Sequence, residues 1–150
     1  MDGLHYRSWG IRAQVHTAGD RRLLHAQVFR WDKPVKLSTG GQEWFTRDSE
    51  PPLRAAVLTI KHGGPRAGEV IQWRSSLLGL DAVLLADETA TGDGLLDLVD
   101  RWGEVPLSPA FLGSGKRHTT GVQWRGVSVP ELAVVPEGEL PWARLRRFAT

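Results

Sequence analysis

The segment WGIRAQVHTAGDRRLLHAQVFRW, residues 9–31, reads as two strands folded back on each other around Gly19 and Asp20. Glycine at the first central position supplies the positive φ that a tight primed turn demands. Counting outward from that turn pairs His16 with Leu23, Gln14 with His25, Arg12 with Gln27 and Gly10 with Phe29. Side chains alternate along a strand, so Trp9, Ile11, Ala13 and Val15 share a face with Leu24, Ala26 and Val28, which is the expected core side. The opposite face carries Arg12, Gln14, His16, His25 and Gln27, with Leu23, Phe29 and Trp31 at its ends.

Working outward, residues 32–54 are rich in Pro, Gly and Ser around Trp44 and Phe45 and read as a long loop holding one short strand. Residues 55–62 and 69–74 read as a second hairpin across the glycine-rich turn at 63–68, and the apolar run 77–86 fits a buried strand or a helix equally. Residues 93–102 read as an amphipathic helix: Leu95, Leu96, Leu98, Val99 and Trp102 face one way, Asp93 caps the start and Gly103 ends it. Strand pattern resumes over 121–129, where the slip of apolar positions from 122 and 124 to 127 and 129 marks a bulge at Gly126. The tail, residues 141–148, reads as a short basic helix or an edge strand with Trp142, Leu145 and Phe148 inward. Segments 70–88 and 121–139 share Gln-Trp-Arg and Ala-Val at a constant offset, which two similarly built strands explain without a duplication. The sum is a single β-rich α+β domain over residues 1–150, a mainly antiparallel sheet or partly closed barrel with one amphipathic helix.

Composition agrees with one globular domain: of 150 residues, 41% are hydrophobic and 24% charged. The chain has no cysteine, which excludes disulfides, thiolate metal sites and cysteine nucleophiles. Lacking an apolar run long enough for a membrane and a secretion-type start, it is expected in the cytoplasm, or in a virion if phage-encoded. Fifteen Arg against four Lys point to a bacterial or phage genome. Net charge is +2, but residues 81–104 carry seven acids against Arg101 alone, so the molecule is expected to be polarised, with a basic face for an anionic partner.

Local chemical motifs are sparse. The stretch LGSGKRHTTG, residues 112–121, resembles a phosphate cradle, but a nucleotide-binding loop needs glycine and Ser or Thr where Ala110 and Arg117 stand. It is left as a basic loop with Lys116, Arg117 and His118 as candidate anion-binding residues. His118-Thr119-Thr120 resembles the His-x-Thr unit of two-histidine phosphoesterases, whose second copy is matched only by His16-Thr17-Ala18, with alanine in place of the hydroxyl. The five histidines show no metal-ligand spacing, no Gly-x-Ser-x-Gly elbow exists, and Ser75, Ser76 and Ser114 carry no local sign of activation. Neither metal nor cofactor is expected.

The expected function is a non-catalytic binding or assembly subunit of a bacterial or phage complex. It would contact a protein partner, or further copies of itself, through Arg12, His25, Gln27, Phe29, Trp31, Trp142 and Arg144, since Arg and aromatic residues are enriched at interfaces. The alternatives are a single-stranded nucleic-acid-binding module using the same aromatic and basic groups, and a small phosphoester-processing enzyme centred on His118.

Overall fold

A computed structural model describes residues 4–6, 22–37, 40–47, 56–136 and 144–148. The chain closes a seven-stranded mixed barrel with extra strands and, among the described residues, a single helix. Around the barrel run β8 (Val105–His118), β10 (Arg144–Arg147), β2 (Leu23–Arg30), β7 (Gly79–Ala86), β6 (Arg66–Ser75), β5 (Val57–Ile60) and β9 (Gly121–Val134), which returns to β8. Only the β5–β9 pair of this ring is parallel. Beyond the ring, β1 (Leu4–Tyr6) extends the edge of β8, β4 (Gln42–Phe45) lies parallel to the first half of β9, and β3 (Val35–Lys36) pairs with β4.

Strand β2 keeps the expected alternation over its first six residues, where Leu24, Ala26 and Val28 are fully buried. Its hydrogen-bonded neighbours among the described residues are β7 and β10; the other expected arm, residues 9–18, and the Gly19-Asp20 turn lie outside the described residues. The expectation for Phe29 needs correction. Pairing slips between Gln27 and Phe29, and the extra residue turns Phe29 inward beside Val28. There it stacks on Phe45 at 4.5 Å, while Phe111 meets Phe45 at 5.1 Å and Trp124 at 5.2 Å edge to face. These rings fill the barrel where β2, β4, β8 and β9 converge.

The second hairpin appears as β5 and β6, and residues 77–86 resolve into a turn followed by strand β7. The excursion after β2 holds two short strands, β3 and β4, rather than one. Segments 70–88 and 121–139 differ in build, the first folding into two strands and the second beginning as one long strand, so they form no structural repeat. The helix α1 (Ala90–Trp102) starts earlier than expected because Thr89, not Asp93, is its cap, accepting the Gly92 N–H at 3.2 Å. Gly103 ends it with φ 77° and an N–H bond to Val99 O, as the sequence indicates. Leu95, Leu96 and Val99 are buried, whereas Leu98 and the terminal Trp102, expected inward, are exposed.

Where it is described, from residue 144, the basic tail is neither helix nor edge. Strand β10 is inserted between β2 and β8, burying Leu145 and Phe148. This position also draws together charges that the sequence count separates: Arg146 Nε donates to Glu104 at 2.7 Å and Arg147 holds Asp100 through two bonds, while at the start of β2 Arg22 pairs with Asp93. Much of the acidic segment is thus neutralised within the molecule. No helix of the described residues is long and apolar enough to cross a membrane.

Candidate active site

On the outer face of the barrel, β5, β9 and β8 lie side by side with Thr59 opposite Ala133 and Ala133 opposite Ser108. Glu131, two residues back along β9, shares that face and pairs with Ala110. Above this small-residue patch stands His62, carried by the turn from β5 into β6. The turn is tight: Lys61 adopts φ 65° and Gly63 φ 71°, Ile60 N–H bonds Pro65 O, and Lys61 N–H bonds Val134 O. A non-glycine residue in the left-handed region immediately before a histidine is a costly conformation that fixes where the imidazole points.

The imidazole bridges two strands. Its Nδ1 lies 2.7 Å from Glu131 Oε1 and its Nε2 lies 2.8 Å from Ser108 Oγ. The second carboxylate oxygen, Oε2, accepts the Gly63 N–H at 2.9 Å and the Thr59 hydroxyl at 3.0 Å. Burial by itself would push the Glu131 carboxyl up. The Gly63 amide, the His62 ring and the Thr59 hydroxyl outweigh that cost and hold it below the ordinary range, so the acid is an anion at neutral pH. Ser108 is 1% exposed, and its contact with the ring lies in a low-dielectric setting that strengthens polar interactions.

Hydroxyl, imidazole and carboxylate in this order form the nucleophile, base and orienting group of covalent serine catalysis. With Nδ1–H donated to Glu131, Nε2 is the lone-pair nitrogen aimed at the hydroxyl. The arrangement can take the Ser108 proton as its oxygen attacks an acyl carbon and return that proton to the leaving group. A groove of about 560 Å³ near the C-terminal end of the helix is lined by Ile60, Lys61, Leu98, Trp102, Glu104 and Arg144 among others; Ser108, His62 and Glu131 are not part of its lining.

None of these three groups is among the residues singled out from sequence, which fall elsewhere. Arg12 and Trp142 lie outside the described residues. Phe29 is fully buried in the aromatic core and offers no contact surface. Gln27 and Trp31 meet Arg30, Lys33 and Leu78 around a small groove, with the Trp31 Nε1 donating to Ser76 O at 3.0 Å. His25 is half-buried, 3.5 Å from Asp81 and edge-on to Phe148; Arg144 lies 4.0 Å from Glu104. Lys116, Arg117 and His118 are exposed, but they end strand β8 instead of forming a loop, and a two-residue turn joins them to β9. His118 Nε2 lies 2.9 Å from Gln123 Oε1 and its ring sits 5.3 Å from that of Trp44, so the Lys-Arg-His group and the His62 site are separate. Among the described residues no group of three His, Asp or Glu side chains is placed to hold a metal ion.

A closed mixed barrel bearing a Ser-His-Glu constellation on its outer face defines the class of site. No known protein family matches the chain, and no curated protein sequence does. Among solved structures, the chain is similar to that of the bacteriophage T4 capsid assembly protease, gp21, with a TM-score of 0.59 and 13% identity, over 89% of this chain and 97% of that one. At that identity the likeness is one of fold.

Proposed function

We propose that the protein is a serine hydrolase that cleaves peptide bonds during phage capsid assembly. The observation that carries the reading is the pair of hydrogen bonds linking Glu131, His62 and Ser108 through one imidazole. Both distances fall within the 2.6–3.2 Å or so that proton transfer requires. The fold likeness to a protein described as a capsid assembly protease supports the substrate class and keeps the assembly role expected from sequence, now with a catalytic subunit in place of a non-catalytic one. In this reading Ser108 attacks the scissile carbonyl, His62 moves the proton, and Glu131 fixes the ring and stabilises the imidazolium that forms.

The test is direct. A fluorophosphonate probe should label the wild-type protein at Ser108, and a mixed peptide library read by mass spectrometry should be cut. Ser108→Ala and His62→Ala should each abolish both signals. Labelling that is absent from the wild type, or that persists in Ser108→Ala, would end this reading.

A further inference from the structure

The Glu131 side chain has one methylene more than aspartate and one more rotatable bond, so something must select the rotamer in which Oε1 reaches His62. We infer that Thr59 is a positioning residue of this site: its hydroxyl, with the Gly63 amide, pins the free oxygen of Glu131 and so sets the imidazole against Ser108. The inference rests on the hydrolase reading proposed above, but the contact it describes is measurable without turnover.

Three observations carry it. Thr59 is the one polar residue in the strand Val57–Ile60, and it is 5% exposed. Its register opposite Ala133 puts it on the same barrel face as Ser108, so the hydroxyl projects toward the site and not into the core. A threonine hydroxyl has a single proton, and here it goes to Glu131 Oε2 at 3.0 Å, the oxygen that His62 does not use. Threonine is also β-branched and stiff about χ1, which makes it a firm anchor within a strand. The Gly63 amide approaches the same oxygen from the catalytic turn, so the carboxylate is gripped by the strand beneath and the turn above.

Thr59→Val keeps the shape and removes only the proton donor. In the full chain it should lower kcat for a Ser108-dependent peptide by about 10- to 100-fold, as loss of supporting hydrogen bonds around a ligating or catalytic group commonly does, with KM little changed. Thr59→Ser, which retains the donor, should recover most of that loss. The Glu131 carboxyl, followed by carbon-detected NMR, should titrate at higher pH in Thr59→Val than in the wild type, a change that a purely structural role for Thr59 would not produce. Wild-type kcat together with a wild-type Glu131 titration in Thr59→Val would overturn the inference. If Thr59→Val fails to fold, Thr59→Ala yields the same two readings. If the wild type never reacts at Ser108, the hydrolase reading falls, and the Glu131 titration alone then decides whether Thr59 sets that carboxylate.

Discussion

Ser108 and Glu131 are diagonal neighbours on the β8–β9 pair, and the other diagonal of the same square is filled by Ala110 and Ala133. The diagonal of an antiparallel pair spans about 7–8 Å, the width of an imidazole with a hydrogen bond on either side. Two methyl groups leave that space open for His62. Ala133→Leu should therefore displace the ring: overpacking costs about 1–3 kcal/mol of stability, while fluorophosphonate labelling of Ser108 should fall by orders of magnitude. Labelling at the wild-type rate in a folded Ala133→Leu protein would show that the ring does not need this patch.

The turn that presents His62 depends on Gly64. A Cβ built there would sit 1.8 Å from the Ile60 carbonyl oxygen, a backbone atom that cannot step aside. Gly64→Ala should shift the whole turn, moving both the imidazole and the Gly63 amide that holds Glu131. Since the turn is at the barrel end, the expected signature is a loss of labelling larger than the loss in thermal stability. Equal labelling in Gly64→Ala and wild type would mean that the turn adapts without moving its histidine.

Much of the architecture is legible in the residues themselves. The alternation of Leu24, Ala26 and Val28, the Gly103 helix end and the slip at Gly126 follow from period, cap and bulge chemistry, and Gly126 indeed takes φ 59°. The site is not announced by any motif, because its members are 46 and 69 positions apart and the serine sits in mid-strand instead of on an elbow. One signal was available. Extending β8 and β9 back from the two-residue turn at Thr119 and Thr120, with His118 opposite Gly121, sets Ser108 directly across from Glu131. Two register irregularities, between Ala110 and Leu112 and between Leu112 and Ser114, then move Glu131 by two places to face Ala110. A shift of two keeps the same face, so the pair survives as a diagonal. Reading 112–121 as a loop hid that register, and the same reading concealed that Lys116, Arg117 and His118 belong to a strand end.

Phe29 tests the other departure from simple counting. Uninterrupted alternation would leave it on the water-facing side of β2, where truncation costs no more than about 0.5 kcal/mol. Buried between Phe45 and Phe111, it should cost about 3–5 kcal/mol on conversion to alanine, whereas the partly exposed Trp31 should cost less. Urea unfolding of the two variants decides the point: a Phe29→Ala midpoint close to wild type would place the bulge at Val28 in error.

Acid should loosen the site through Glu131. Its carboxyl titrates below the ordinary value of 4.5 in the folded protein, because the Gly63, His62 and Thr59 hydrogen bonds outweigh the opposing effect of burial. A group whose folded pKa is depressed stabilises the fold at pH values above its unfolded pKa. As pH falls through about 4.5, the unfolded chain takes up the proton first and that stability drains away, until the folded carboxyl is itself protonated. Glu131→Gln lacks this titration. With the neighbouring imidazole fully protonated below about pH 5, the stability difference between wild type and Glu131→Gln should therefore shrink on further acidification below about 4.5. Denaturant unfolding of both proteins from pH 5 to pH 3 measures it, and a difference that stays flat or widens over that range would mean that the three donors do not hold the carboxylate in its charged form.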